Sequence, residues 1–163
     1  VQRADELVAT LPDARPAAIV FIDLDHFKPV NDRAGHGAGD LMLLAVAKAM
    51  TSRVRASDLV ARMGGDEFAL LLEGCSHDTA LRIARNVRDG ILQIEMPWDQ
   101  GTLTVGASLG VASLTPQTHD TAQWLEAADA ACYAAKNGGR GAVHSAATGR
   151  ESRTGSVTDP DRV

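Results

Sequence analysis

Cysteine is scarce in this chain: only Cys75 and Cys132 occur in 163 residues, too few for a disulfide framework, which fits a reducing, cytoplasmic compartment. No apolar run approaches the roughly 20 residues needed to span a bilayer, and the amino end lacks the basic, apolar, small-residue order of a secretion signal. Basic character is also lacking. A formal charge of -5 argues against a nucleic-acid polymer as partner, because such binding draws its affinity from a basic surface. No internal repeat is visible. What remains, 45% apolar and 23% charged residues, is the balance of one globular domain with or without a tail.

Hydrophobic patterning alternates strands with helices. Ala17 to Leu24 is a nearly continuous apolar and β-branched run, as in a strand covered on both faces. A glycine-rich stretch, Gly35 to Asp40, then reads as a loop that opens a helix over LMLLAVAKAM. Leu59–Met63 and Asp66–Glu73 read as two strands joined by a Gly64-Gly65 hairpin turn, since tight hairpins favour residues that accept positive φ. A helix follows, with Ala84, Val87 and Ile91 on its apolar stripe. Alternation from Thr102 to Leu114 reads as one long strand, and Thr121 to Asn137 as a closing helix burying Trp124 or Leu125, Ala128, Cys132 and Ala135. Ala142-Val143 suggests a last short strand. The domain is placed at 1–145, and 146–163 reads as a polar, disordered tail or linker.

The resulting order β-α-β-β-α-β is the split-βαβ pattern of an α+β, ferredoxin-like sheet with helices on one face. In that sheet the hairpin strands can lie beside the first strand, so three features can converge. Asp23 and Asp25, two apart in an extended segment, share a face; a helix cap or turn is the plain alternative. Asp66 and Glu67 at the hairpin are either solvated turn acids or partners of Asp23 around a hard cation, with Mg2+ the natural choice. A helix-loop-helix calcium site fits poorly, because Phe27 and Val30 fall where an oxygen ligand and a glycine are required. In the third feature, Asp40 could accept from the N–H groups of guanine with Asn31 adding a further bond, or Asp40 could merely cap a loop. Lys136 and Arg140 either complement the dipole at the end of the last helix or fold back to clamp phosphates. Arg55 and Asp58 form either a surface ion pair or a small guanine-reading pair.

Together these residues resemble the GGDEF family of diguanylate cyclases. Gly64-Gly65-Asp66-Glu67-Phe68 is the signature itself. Asp23-x-Asp25-x-Phe27-Lys28-x-x-Asn31-Asp32-x-x-Gly35-His36-x-x-Gly39-Asp40 matches the family's long motif, and Asp129 to Arg140 looks like its closing helix. The resemblance covers about residues 17 to 143 and implies a palm-type sheet like that of nucleotidyl cyclase catalytic domains. It implies condensation of two GTP into cyclic di-GMP with release of two pyrophosphates. It further implies Mg2+ (or Mn2+) held by Asp23, the Leu24 carbonyl, Asp66 and Glu67; guanine read by Asn31 and Asp40 with His36 nearby; and phosphate charge met by Lys28, Lys136 and Arg140. Asp66, Glu67 and Lys28 would be the catalytic set. One GTP per domain implies a homodimer in catalysis, and Arg55 with Asp58 implies an inhibitory site for the product. Two departures stand out. The Asp-x-Leu-Thr-like turn that usually precedes the family's first helix is missing before Val1, so a piece of a longer chain is expected; Gly141 stands where the family often has asparagine. A non-catalytic module sensing GTP or cyclic di-GMP is the alternative reading.

Overall fold

A computed structural model describes residues 1–146 apart from Pro12 and Gln100, so the tail expected from 146 onward lies, beyond Ala146, outside the described residues. At the centre is strand β1 (Ala17–Asp25), paired antiparallel on one side with β3 (Glu67–Glu73) and on the other with β6 (Gly106–Ser113). Strand β2 (Leu59–Gly64) adds outside β3, and the short β7 (Val143–Ser145) runs parallel to β6, giving the sheet order β2-β3-β1-β6-β7. The first four of these strands carry the split-βαβ topology expected from the sequence.

Helices cover both faces, not one. Even-numbered residues of β1 (Ala18, Val20, Ile22, Leu24) pack in one core with Met42, Val46 and Met50 of α2 (Phe27–Thr51) and Ala84, Val87 and Ile91 of α3 (His77–Leu92). Odd-numbered residues (Ala17, Ile19, Phe21) pack on the other face with Trp124, Ala128 and Cys132 of α4 (Thr121–Asn137) and Ala4 and Leu7 of α1 (Gln2–Ala9). The unbroken apolar run of β1 thus has its cause in two covered faces, each fully buried large side chain adding roughly 1.5–3 kcal/mol. The helix α1 has no counterpart in the sequence reading. On the α4 face Trp124 donates its indole N–H to the Ala112 carbonyl at 2.8 Å, while Gly110 lets the α4 backbone lie directly on β6. The helix starts on a true cap, with the Asp120 carboxylate accepting from the Gln123 amide at 2.7 Å.

Three local expectations change. The glycine-rich stretch is not a loop: α2 begins at Phe27 and runs through it, kinked at Gly35, whose φ of 82° and ψ of 171° only glycine adopts cheaply. The hairpin turn is Gly65-Asp66 instead of Gly64-Gly65, because a bulge between Arg62 and Gly64 moves the register and pairs Gly64 with Glu67. Lastly, the strand expected from Thr102 to Leu114 is two strands. Its first part, β5 (Gly101–Leu103), pairs with β4 (Met96–Trp98) in a separate hairpin, and β6 starts only at Gly106. Leu103 and Val105 both bury in the same core, so alternation continues across the break although the strand partner changes.

Candidate active site

Strand pairing assembles the acids. Asp23 sits directly opposite Glu67 in the β1–β3 register, and the Leu24 amide donates to the Asp66 carbonyl of the turn at 3.1 Å. Asp23 and Asp25 continue the odd-numbered face of β1, so both carboxylates emerge beneath the end of α4. From there Lys136 reaches back: its ammonium donates to Asp23 Oδ1 at 2.8 Å, to the Leu24 carbonyl at 3.0 Å and to Asp25 Oδ1 at 3.2 Å. Arg62 braces the turn, its guanidinium donating twice to the Gly65 carbonyl at 2.8 and 3.0 Å.

Negative charge outruns compensation here. Burial raises the Asp23 carboxyl above its ordinary value; Lys136 pulls it back, while Asp66 and Asp25 push it further up. Glu67 is raised likewise, by burial and then by Asp23, Asp66 and Asp129. For Lys136 burial disfavours the charge, but Asp23 and Asp25 outweigh it and hold the ammonium above its usual range. Among the described residues no three acidic, histidine or cysteine side chains close a metal cage by themselves. Hard oxygens in carboxylate excess nevertheless fit Mg2+, which is held by one or two carboxylates with substrate phosphates completing its shell.

The kink in α2 assembles the next group. Eight residues of straight helix would separate Asn31 from Gly39 by about 12 Å. Instead the Asn31 side-chain oxygen lies against Gly39, where a Cβ would overlap it. Asp40 follows at once, exposed, on the rim of a groove of about 450 Å³ between α2 and β2 that Leu43, Leu44, Val60, Arg62 and Phe68 also line. Arg62 therefore belongs to both places, lining the groove and bracing the acidic turn. Lys28 lies on the first turn of α2, strongly exposed, with its ammonium on Asp32 at 2.8 Å. His36 is exposed just after the kink.

Arg55 and Asp58 do not form the surface ion pair that was one reading of them. Asp58 is buried and accepts from the Arg55 backbone amide at 2.8 Å and more weakly from the Glu73 amide at 3.4 Å, while the Arg55 side chain faces solvent. Arg140 takes φ of 67° in the turn after α4 and is also exposed. Sequence reasoning paired Asp25 with Asp23 on one face without giving it a task in the site, and did not single out Ser108. The Ser108 hydroxyl donates to Asp25 at 2.9–3.0 Å, a partnership between residues far apart in the chain that spacing does not reveal.

The chain is similar to known proteins. The family model described as "Diguanylate cyclase, GGDEF domain" matches residues 2–142. The chain is 48% identical over 126 residues to the probable diguanylate cyclase DgcE of Escherichia coli K12, covering 77% of this chain and 11% of that protein. It is 46% identical over 129 residues to diguanylate cyclase TpbB of Pseudomonas aeruginosa, covering 76% and 29%. Among solved structures, the GGDEF domain of that same Pseudomonas protein superposes with a TM-score of 0.82 at 37% identity, covering 90% of this chain and 92% of that one. The GGDEF domain of DgcB from Caulobacter crescentus, solved in complex with c-di-GMP, superposes with a TM-score of 0.83 at 27% identity, covering 89% and 86%. This chain belongs to the GGDEF family of diguanylate cyclase domains. It spans only a minor part of the curated relatives' length, 11% of one and 29% of the other.

Proposed function

We propose that this domain condenses two molecules of GTP into cyclic di-GMP, releasing two pyrophosphates. The observation that carries the reading is the β1–β3 register, which sets Asp23 against Glu67 with Asp66 hydrogen-bonded beside them through its carbonyl. An excess of carboxylates at one strand end is unfavourable unless a cation joins it, at roughly 4 kcal/mol per close pair of like charges near a protein surface. Asp23, the Leu24 carbonyl, Asp66 and Glu67 are the atoms that would hold Mg2+, or Mn2+ in its place. When bound, the metal polarises the α-phosphate, makes the attacking ribose 3′-hydroxyl more acidic and stabilises the departing pyrophosphate.

The remaining work is positioning and charge. Asp40 lines the groove and Asn31 lies against the neighbouring Gly39; together they would present a carboxylate and a carboxamide to the edge of guanine, Asp40 accepting from its N–H groups. His36, exposed after the kink, would lie close to the bound base. The apolar wall of Leu43 and Leu44 shields the base from water. Lys28 exchanges its exposed Asp32 partner for phosphate, which costs little because a solvated ion pair contributes only about 0–1 kcal/mol. Lys136 and Arg140 add positive charge from the end of α4, so that charge accumulating on the phosphates is neutralised without reorganising the sheet.

A domain with one such site holds one GTP, whereas the product needs two reciprocal attacks. The working species is therefore a homodimer with the two sites face to face. Arg55, exposed and free of Asp58, and the remaining acceptor capacity of Asp58 offer the product a second site, through which cyclic di-GMP inhibits its own synthesis. Incubation with GTP and Mg2+, followed by chromatography of the nucleotides, tests the proposal. Cyclic di-GMP that is lost in Asp66→Ala supports it; tight GTP binding without product makes the domain a sensor instead.

A further inference from the structure

Asp25 is buried to 2% exposure, yet it belongs to neither the metal-binding nor the base-reading group just described. A carboxylate is costly to bury unless donors surround it, and here three converge. The Ser108 hydroxyl lies 2.9–3.0 Å from its two oxygens, the Gly141 amide donates to Oδ2 at 3.0 Å and the Lys136 ammonium to Oδ1 at 3.2 Å. Opposite Asp25 in the β1–β6 register stands Gly106, where a Cβ would crowd the Asp25 side chain at 3.4 Å.

The turn it holds is an unusual one. Gly139, Arg140 and Gly141 all have positive φ, at 119°, 67° and 61°, and a left-handed backbone is unfavourable for arginine. Three backbone donors pin this turn: the Gly139 amide to the Lys136 carbonyl at 3.4 Å, the Arg140 amide to the Ala135 carbonyl at 3.1 Å, and the Gly141 amide, shared between Asp25 and the Ser108 hydroxyl oxygen at 3.2 Å. Lys136 and Gly141 thus flank Arg140 in sequence and both end on one carboxylate. We infer that Asp25 is a positioning residue, fastening the end of α4 that carries Lys136 and the turn that carries Arg140 to the strand that carries Asp23, and so setting the distance between phosphate-binding cations and metal-binding acids. Both oxygens of Asp25 are committed to protein donors, whereas Asp23 has Lys136 as its charged partner and is more exposed. That division separates the anchor from the ligand. The inference rests on the cyclase reading for the purpose of the two cations.

Asp25→Asn is the informative variant. Its shape is retained, but it offers a single accepting oxygen to three donors and brings an NH2 group among them, so at least one tie is lost. Ser108→Ala, which removes one donor to the carboxylate and the second acceptor of the Gly141 amide, is the milder companion. Three quantities are measured for the intact chain: half-saturating GTP, turnover number, and affinity for Mn2+ alone by electron paramagnetic resonance, with thermal melting as the check on folding. The expected result for Asp25→Asn is half-saturating GTP raised about tenfold, the size of one lost charge-assisted bond. Turnover falls less, Mn2+ affinity stays within about threefold, and Ser108→Ala moves the same way by a smaller factor. Asp23→Asn, by contrast, loses Mn2+. Wild-type values for GTP in both Asp25→Asn and Ser108→Ala would overturn the inference. So would loss of Mn2+ in Asp25→Asn as complete as in Asp23→Asn, since Asp25 would then be a ligand. A wild-type chain that forms no product would overturn the cyclase reading itself, a result distinct from active wild type with indifferent variants.

Discussion

Asp23 carries two opposed demands. Burial and neighbouring acids raise its pKa, and Glu67 is raised for the same reasons, so in the metal-free protein both bind protons more tightly folded than unfolded. Their contribution to stability is then fully present below the ordinary carboxylate range and lost as pH rises through the raised folded values. Melting of the metal-free chain should accordingly show a destabilising step in that window, and saturating Mg2+ should remove it. Arg140 separates stability from activity in a different way. Arg140→Gly relieves a left-handed arginine while adding backbone freedom to the unfolded chain, so thermal denaturation should change by no more than about 1 kcal/mol. On the proposed function, cyclic di-GMP synthesis should still drop about tenfold to a hundredfold, because one cation assigned to the phosphates is gone. The acids of the signature were legible in the sequence because short motifs place them at fixed spacing. Asp25 was not, because its significance lies in Ser108 and Gly141, which only the folded sheet brings within hydrogen-bonding distance.

Secondary structure was legible where one partner governs a whole segment and illegible where the partner changes. The apolar stripe of α3 and the buried side of α4 follow directly from their periodicity. In α2 the glycines concealed a helix, since composition suggests flexibility while the neighbouring contacts require a kinked rod. The β5–β6 break was hidden because Leu103 and Val105 stay buried on either side of it. Gly35 makes the kink testable: alanine there must adopt φ near 82° and ψ near 171°, a strain of about 1–3 kcal/mol, or straighten the helix and part Asn31 from Gly39. Weaker GTP binding is expected in Gly35→Ala, with circular dichroism reporting the accompanying loss of stability. Gly110→Ala tests the other face. Its Cβ would run into the Ala128 carbonyl and the Cys132 amide, so α4 must lift from β6. We expect a loss of about 1–3 kcal/mol in chemical denaturation, typical of overpacking, together with a fall in activity as Lys136 moves away from Asp23.

Across the molecule the same sheet serves two clients, with the acids and α4 on one face and the groove of α2 on the other. Arg62 joins them at the β2–β3 turn. If two copies must meet for each product molecule, specific activity should fall steeply on dilution below the dimerisation constant; constancy across that range, measured alongside sedimentation, would refute the dimer. The product inhibition proposed above belongs to the same level: Arg55→Ala should abolish it while leaving the initial rate intact. The general architecture could be foreseen because the order of strands and helices admits few right-handed, unknotted solutions. Coverage of both faces of β1 was legible in its unbroken apolar run, but α1 was not, because it gives only a short apolar signal and packs beside α4 on the second face.

The site hangs from β1, the middle of five strands, flanked by β3 and β6 and walled by helices above and below. Edge segments such as β7 can fray in local openings, but the amides of a central strand exchange with solvent only when the domain comes apart. Asp23 and Asp25 are therefore mounted on the last part of the protein to yield. Along a urea titration, catalytic capacity should vanish together with the cooperative melting of the core and no earlier.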